Sequence, residues 1–235
     1  MYTLEICVDN IVSAKNAALA GANRLELCSE LSVGGLTPSV GLFKTVQKIV
    51  NIPIHVLIRP RSGHFEYDEE EINVMEEDIQ NFINLGVDGI VLGALKGSEI
   101  DMMLCRRLIG LCENVPVTFH RAFDLCTDHT KALEDAISLK CSRILTSGFS
   151  PSAYNGMSEI QELVKKAMSR IIIMPGCGIT VNNLAEIKEV TNAKEFHASA
   201  SELVGVSCEH PVVKGTTSHL VTSETIVRSM KKCLV

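Results

Sequence analysis

No Cys-x-x-Cys pair and no zinc-finger spacing occurs among the nine cysteines, which are scattered and odd in number. That pattern argues against a disulfide framework and for reduced thiols in a cytoplasmic protein, with the nucleus as the alternative compartment. There is no basic stripe either: Lys and Arg number 22 against 28 Asp and Glu, a net charge of −6. A nucleic-acid surface would need the opposite balance. No apolar run is long enough to span a bilayer, so no membrane partner is expected. The first apolar stretch, Met1-Tyr2-Thr3-Leu4-Glu5, carries an acid and does not read as a signal peptide. No glycine-rich loop follows the first strand, where Cys7-Val8-Asp9-Asn10 stands, which disfavours a doubly wound nucleotide-binding sheet. No lysine ends a strand, disfavouring a Schiff-base aldolase. G-x-S-x-G is missing, and with it any visible serine triad. Finally, no linker, composition break or low-complexity segment divides the chain, so residues 1–235 read as one domain.

What is present is a regular alternation. Hydrophobic residues make up 46% of the chain and charged ones 21%, enough to bury a sizeable core in a soluble protein. Strands are expected at 4–8, 24–28, 54–59, 89–92, 117–121, 143–146, 171–174 and 195–198. Helical patterns lie between them at 11–19, 39–50, from 68, 101–112, 131–139, 158–168 and 180–190. A final helix at 223–234 follows the eighth strand, after an irregular loop at 201–222. Thr37-Pro38 suggests an N-cap with proline at the first helical position, and Asp68-Glu69-Glu70-Glu71 a capping box. Eight strands, each followed by a helix, predict an α/β fold of the (β/α)₈, TIM-barrel type.

In such a barrel one face of each strand meets the helices and the other fills the lumen. Leu4, Ile6, Leu25, Leu27, Ile54, Val56, Ile58, Val117 and Phe119 form the natural helix-facing set. Alternation then sends Glu5, Cys7, Glu26, Cys28, His55, Arg59, Thr118, His120, Glu195 and His197 inward. A barrel built for stability alone fills its lumen with Val, Ile and Leu. Buried charges cost several kcal/mol each unless paired, so Glu5 and Glu26 are expected to find Arg59 or a histidine. A four-residue echo, Leu4-Glu5-Ile6-Cys7 and Leu25-Glu26-Leu27-Cys28, suggests a register with two acids side by side and two thiols one layer above.

The C-terminal ends of the strands carry the chemistry of such barrels. In Phe119-His120-Arg121-Ala122-Phe123-Asp124, His120 is a candidate acid/base with Asp124 to orient it, and Glu5 or Glu26 a second carboxylate or hard-metal ligand. Arg59-Pro60-Arg61 offers two guanidiniums as a fork for carboxylate or phosphate, with Arg121 as a further cation. Pro175-Gly176-Cys177-Gly178 leads toward Thr180, and its N–H groups suit an anion, with Ser147 and Gly148 as added donors. These residues support an enzyme acting on a small anionic metabolite. Cys7 and Cys28 are a soft pair able to hold Cu(I), or else two buried inert thiols.

Several of these runs resemble the copper homeostasis protein CutC family. They are Glu26 to Ser29, Gly34 to Ser39, Ile58-Arg59-Pro60-Arg61, Phe119 to Asp124, Leu145-Thr146-Ser147-Gly148, Met174-Pro175-Gly176 and Glu195-Phe196-His197, in order across residues 4–200. The resemblance implies a TIM-type barrel, a cytoplasmic homodimer, and copper handling with Cys7 and Cys28 as the ligands. Three departures stand out. The middle of three usual glycines is Cys177, which removes part of the anion loop or adds a soft ligand beside His197. Arg61 is followed by Ser62-Gly63 rather than two glycines. Ser201 stands where an arginine is usual.

Overall fold

The computed structural model describes residues 2–205 and 218–235. Among them, eight short parallel strands alternate with eight helices. The strands are β1 (Thr3–Val8), β2 (Arg24–Leu27), β3 (Ile54–Leu57), β4 (Gly89–Leu92), β5 (Val117–Phe119), β6 (Arg143–Thr146), β7 (Ile172–Pro175) and β8 (Glu195–Ala198). The helices are α1 (Ile11–Leu19), α2 (Val40–Ile49), α3 (Glu69–Asn84), α4 (Met102–Gly110), α5 (His129–Ser138), α6 (Met157–Ala167), α7 (Leu184–Thr191) and α8 (Glu224–Cys233). The ladder runs unbroken from β8 through β1 to β7, and β7 packs beside β8. The result is a nearly closed barrel, as the alternation implied.

Local chemistry explains most helix starts. Asn10, Ser39, Asp101 and Asp128 each accept a hydrogen bond from a backbone N–H of the first turn, and Asp68 with Glu71 forms the expected capping box. One expected cap and one expected helix start differ. The cap of α2 is Ser39, while Thr37 Oγ1 accepts from Arg59 N at 2.9 Å and fastens the second loop to the third. Helix α7 begins at Leu184, because Thr180 N donates to Asn183 Oδ1 and spends three residues in a turn. The segment read as an irregular loop also differs. Its ends, Ser201–Gly205 and Ser218–Thr222, pair antiparallel; residues 206–217 of that segment lie outside the described residues.

The outward strand residues Leu4, Ile6, Leu25, Leu27, Ile54, Val56, Ile58, Val117 and Phe119 join Phe43, Val46, Ile79 and Phe82 of the helices in one core. Each such side chain contributes on the order of 1.5–3 kcal/mol by leaving water. Inside the barrel, apolar filling shrinks to a small cluster of Cys28, Leu57 and Val91.

Strand register departs from the sequence echo. Glu5 lies opposite Arg24 and Cys7 opposite Glu26, a shift of two residues that follows from the stagger of tilted strands in a barrel. His197 lies opposite Glu5, and His55 opposite Glu26. Strand β4 supplies the room for these rings. A Cβ on Gly89 would collide with the His55 ring, and one on Gly93 would approach the His120 ring to 2.6 Å. Gly89→Ala should therefore destabilise the fold by about 1–3 kcal/mol through overpacking. Urea unfolding should show part of that loss recovered in Gly89→Ala/His55→Ala.

Candidate functional site

The lumen is an ionic core. Arg24, the first residue of β2, donates from Nε to Glu5 Oε2 and from Nη2 to Glu195 Oε2 at 2.6 Å. Arg143, the first residue of β6, donates from Nε to the same Glu195 oxygen at 3.1 Å and from Nη1 to Thr118 Oγ1 at 3.2 Å. His197 Nδ1 lies 2.8 Å from Glu5 Oε1. Glu5 is thus closed by a histidine, as expected, but the guanidinium beside it is Arg24 and not Arg59. Arg24 and Arg143 were absent from the candidate set. Counting back by twos from Glu26, and from Thr118 through its neighbouring strand, would have placed both inside.

Above this layer a pocket of about 540 Å³ opens, in the range that small-molecule sites occupy. Cys7, Glu26, His197, Arg59, His120, Arg121 and Cys177 line it, with Leu31, Leu57, Leu145 and Ile179 as apolar walls. Glu26 Oε2 and His120 Nε2, both buried, have no hydrogen-bond partner.

Environment sets the charge of each group. Burial works against the carboxylate of Glu5, but the hydrogen bond from His197 and the Arg24 guanidinium outweigh it and hold its pKa well below the usual range. Burial pushes the pKa of Glu26 up to about 7. Burial also opposes charge on His197, yet Cys7, Glu26 and Glu5 around the ring raise its pKa well above the ordinary value. Burial pushes His55 down to about 3, and burial with the Arg59 guanidinium does the same to His120. His120 Nδ1 accepts from Ala122 N at 3.2 Å, so the neutral ring presents Nε2–H to the pocket as a donor.

Several expected partnerships are spent elsewhere. Asp124 does not touch His120. It accepts from Thr146 Oγ1, from Ser147 N and Oγ, and from Arg121 Nε at 2.9 Å, and so braces the loop after β6. The hydroxyl and amide of Ser147 and the amide of Gly148 are used within that brace, so they do not reach out as anion donors. The Arg59–Arg61 fork is not formed either. Arg59 donates to the carbonyls of Val33, Gly35 and Gly63 at 2.9–3.0 Å, whereas Arg61 turns to Glu71 and the Glu66 carbonyl. In the loop after β7, Gly176 N donates to Thr146 O, while Cys177 sits at φ +76° and its Sγ lies 3.3 Å from Pro151 O. Gly178, also at positive φ, remains in the pocket wall.

The two thiols occupy different surroundings. Cys7 faces the pocket beside His197. Cys28 is fully buried one register step further along, packed with Leu57 and Val91, and its Sγ lies 3.5 Å from Val8 O. Burial, and then Cys7, keep the Cys28 thiol protonated.

An eight-stranded barrel with an ionic lumen and a pocket at the C-terminal mouth defines a TIM-type barrel with a site at its usual end. The chain belongs to the CutC family, whose model matches residues 2–202. A copper homeostasis protein cutC homolog of Homo sapiens is 48% identical over 200 residues, covering 85% of this chain and 73% of the relative. A family protein CutC of Histophilus somni is 48% identical over 84% of this chain and 82% of its own length. The crystal structure of a CutC protein of Streptococcus agalactiae superposes with a TM-score of 0.81 at 35% identity, covering 85% of this chain and 99% of that one. A phosphoribosylanthranilate isomerase of Thermotoga maritima shares the fold at 14% identity, with a TM-score of 0.60 over 100% of this chain and 98% of its own.

The buried ionisable groups predict a specific pH response. His55 and His120 exclude a proton between about pH 3 and 6.5, so their contribution is complete above 6.5 and is lost as pH falls. Glu26 keeps a proton between about 4.5 and 7, so its contribution is lost as pH rises through 7. Among these three groups, one net proton of destabilisation on acidification remains between pH 4.5 and 6.5, or about 1.4 kcal/mol per pH unit. Urea midpoints across that range should flatten in His120→Gln and steepen in Glu26→Gln.

Proposed function

We propose that this chain serves copper homeostasis by holding Cu(I) between Cys7 and Cys28. The observation that carries the reading is a pair of lumen thiols on adjacent strands: Cys7 lines the open pocket beside His197, and Cys28 is buried one layer away, close enough for each to affect the other. Cu(I) is soft and accepts two thiolates. Its coordination would release the thiol protons and leave one net negative charge, which His197 is placed to offset. The copper homeostasis name of the human relative agrees with that cargo. The reading places the protein in the cytoplasm, a reducing compartment, and the eight cysteines among the described residues are all free thiols. No described helix is long and apolar enough to cross a membrane. It also includes a homodimer, supported by apolar side chains left exposed at Ile11, Val12, Leu203 and Leu220. An anaerobic Cu(I) titration against a competing chelator should find one tight equivalent in the wild type and none in Cys7→Ser/Cys28→Ser. Equal retention by both proteins, or no tight copper in either, would discard the thiol pair.

A second reading rests on the pocket itself, which is far larger than an ion requires. In it, the barrel acts on a small anionic metabolite, a carboxylate or phosphate, attracted by Arg121 and His197. Glu26, poised near neutrality, is the acid/base, and His120 donates a hydrogen bond from Nε2 instead of moving protons. A thermal-shift series of small carboxylates and phosphate esters should contain a compound that stabilises the wild type and fails to stabilise His120→Ala and Glu26→Gln. A flat response across the series would count against this reading.

A further inference from the structure

Glu5, Glu26 and His197 offer donor atoms that all lie within 4.8 Å of one another, on β1, β2 and β8, and all three residues are buried. We propose that these three side chains form a site for a divalent transition cation at the pocket floor, with a ligand set distinct from the thiol pair although His197 and Glu26 also take part in the readings above.

Three observations converge on this site. The first is an unanswered acceptor. Glu26 is 6% exposed, and its Oε2 has no hydrogen-bond partner. An orphaned buried carboxylate oxygen costs at least as much as an orphaned neutral acceptor. The two lumen guanidiniums cannot answer it, because Arg24 is divided between Glu5 and Glu195 and Arg143 is committed to Glu195 and Thr118. A cation in contact with Glu26 Oε2 removes the deficit.

The second is spacing. His197 Nδ1 and Glu5 Oε1 stand 2.8 Å apart. Two ligands held at about 2.1 Å from one metal and roughly at right angles are separated by about 3 Å. A cation can therefore take the place of the proton between them, releasing it to solvent and leaving a neutral imidazole as ligand, with adjustments of a few tenths of an ångström, while Glu5 Oε2 stays on Arg24.

The third is access. Glu26 and His197 line the pocket, and Glu5 lies fully buried beneath them. Three protein ligands below and a pocket above leave open coordination positions facing the space a small ligand would fill. That is the arrangement of sites where a metal meets a substrate or water. Two carboxylates with one imidazole suit Mn2+, Fe2+ or Zn2+ over Cu(I), which the thiols prefer.

Mn2+ is the discriminating probe, since it takes oxygen and nitrogen ligands and avoids thiolates. Loss of the free six-line EPR signal should report one bound equivalent in the wild type and in Cys7→Ser/Cys28→Ser. Affinity should fall at least tenfold in Glu26→Gln, which preserves shape, and likewise in His197→Asn, each checked for folding by circular dichroism. The absence of saturable Mn2+ binding to the wild type would overturn the proposal. So would undiminished binding in a folded Glu26→Gln or His197→Asn, or loss of binding in the cysteine variant. Cu(I) titration of the same proteins separates the two sites, because Glu26→Gln should keep its copper.

Discussion

The barrel depends on closing its own charges. Glu5, Arg24, Arg143 and His197 are buried, and Glu195 nearly so, in the space that other barrels fill with Val, Ile and Leu. Breaking a buried pair by deleting one partner typically costs about 3–5 kcal/mol, whereas replacing the whole set with apolar groups is often neutral. The network is thus a poor means of gaining stability. Its value is positional: Arg24 grips strands β1 and β8 from β2, and Glu195 ties both guanidiniums together across the seam between β7 and β8. The one gap in the ladder is crossed from within by ion pairs.

Polarity then changes by level. At the bottom, charges are saturated by one another. One step up, Cys7, Glu26 and His55 share a register layer, and there the pairing is incomplete. At the mouth, residues that look like binding groups are largely braces. Arg59 pins three loop carbonyls, Arg61 pins Glu71, and Asp124 gathers donors from Thr146 and Ser147 at the end of β6 and from Arg121 after β5. Burial with a full set of partners fixes a loop; burial with a partner missing leaves chemistry available. By that criterion Glu26 and His120 offer open groups to the pocket, and His55 Nδ1 and Arg59 Nε are left unpartnered beside them.

The period of two was sufficient to separate the lumen from the helix face, because Leu4-Glu5-Ile6-Cys7 and Arg24-Leu25-Glu26-Leu27 alternate without a break. Glu5, Glu26, His55, His120 and His197 were therefore legible as interior residues. Their partners were not. Which acid meets which base depends on the offset between neighbouring strands, and the matching of Leu-Glu-Ile-Cys to Leu-Glu-Leu-Cys pointed to the wrong offset. Arg24 and Arg143 escaped notice for a related reason: they begin their strands, where a charge reads as a solvated end. The fate of Arg59 and Asp124 was hidden differently. Their partners are backbone carbonyls and amides of loops, groups every residue possesses, so no side-chain pattern marks them.

The same offset bears on how one barrel can hold soft and hard donors together. With Cys7 level with Glu26, Cys28 lies one step further toward the mouth, against Leu57 and Val91 rather than beside the acids. Had the strands matched as the echo suggested, both carboxylates would face each other with no guanidinium between them. The two-residue stagger instead inserts Arg24 opposite Glu5 and leaves Glu26 as the acid without a cation of its own. A soft pair then reaches toward an apolar wall while an oxygen-and-nitrogen set looks down into the ionic core. Both draw on β1 and β2, the second adding His197 of β8, and the tilt that closes the barrel is what separates their ligands.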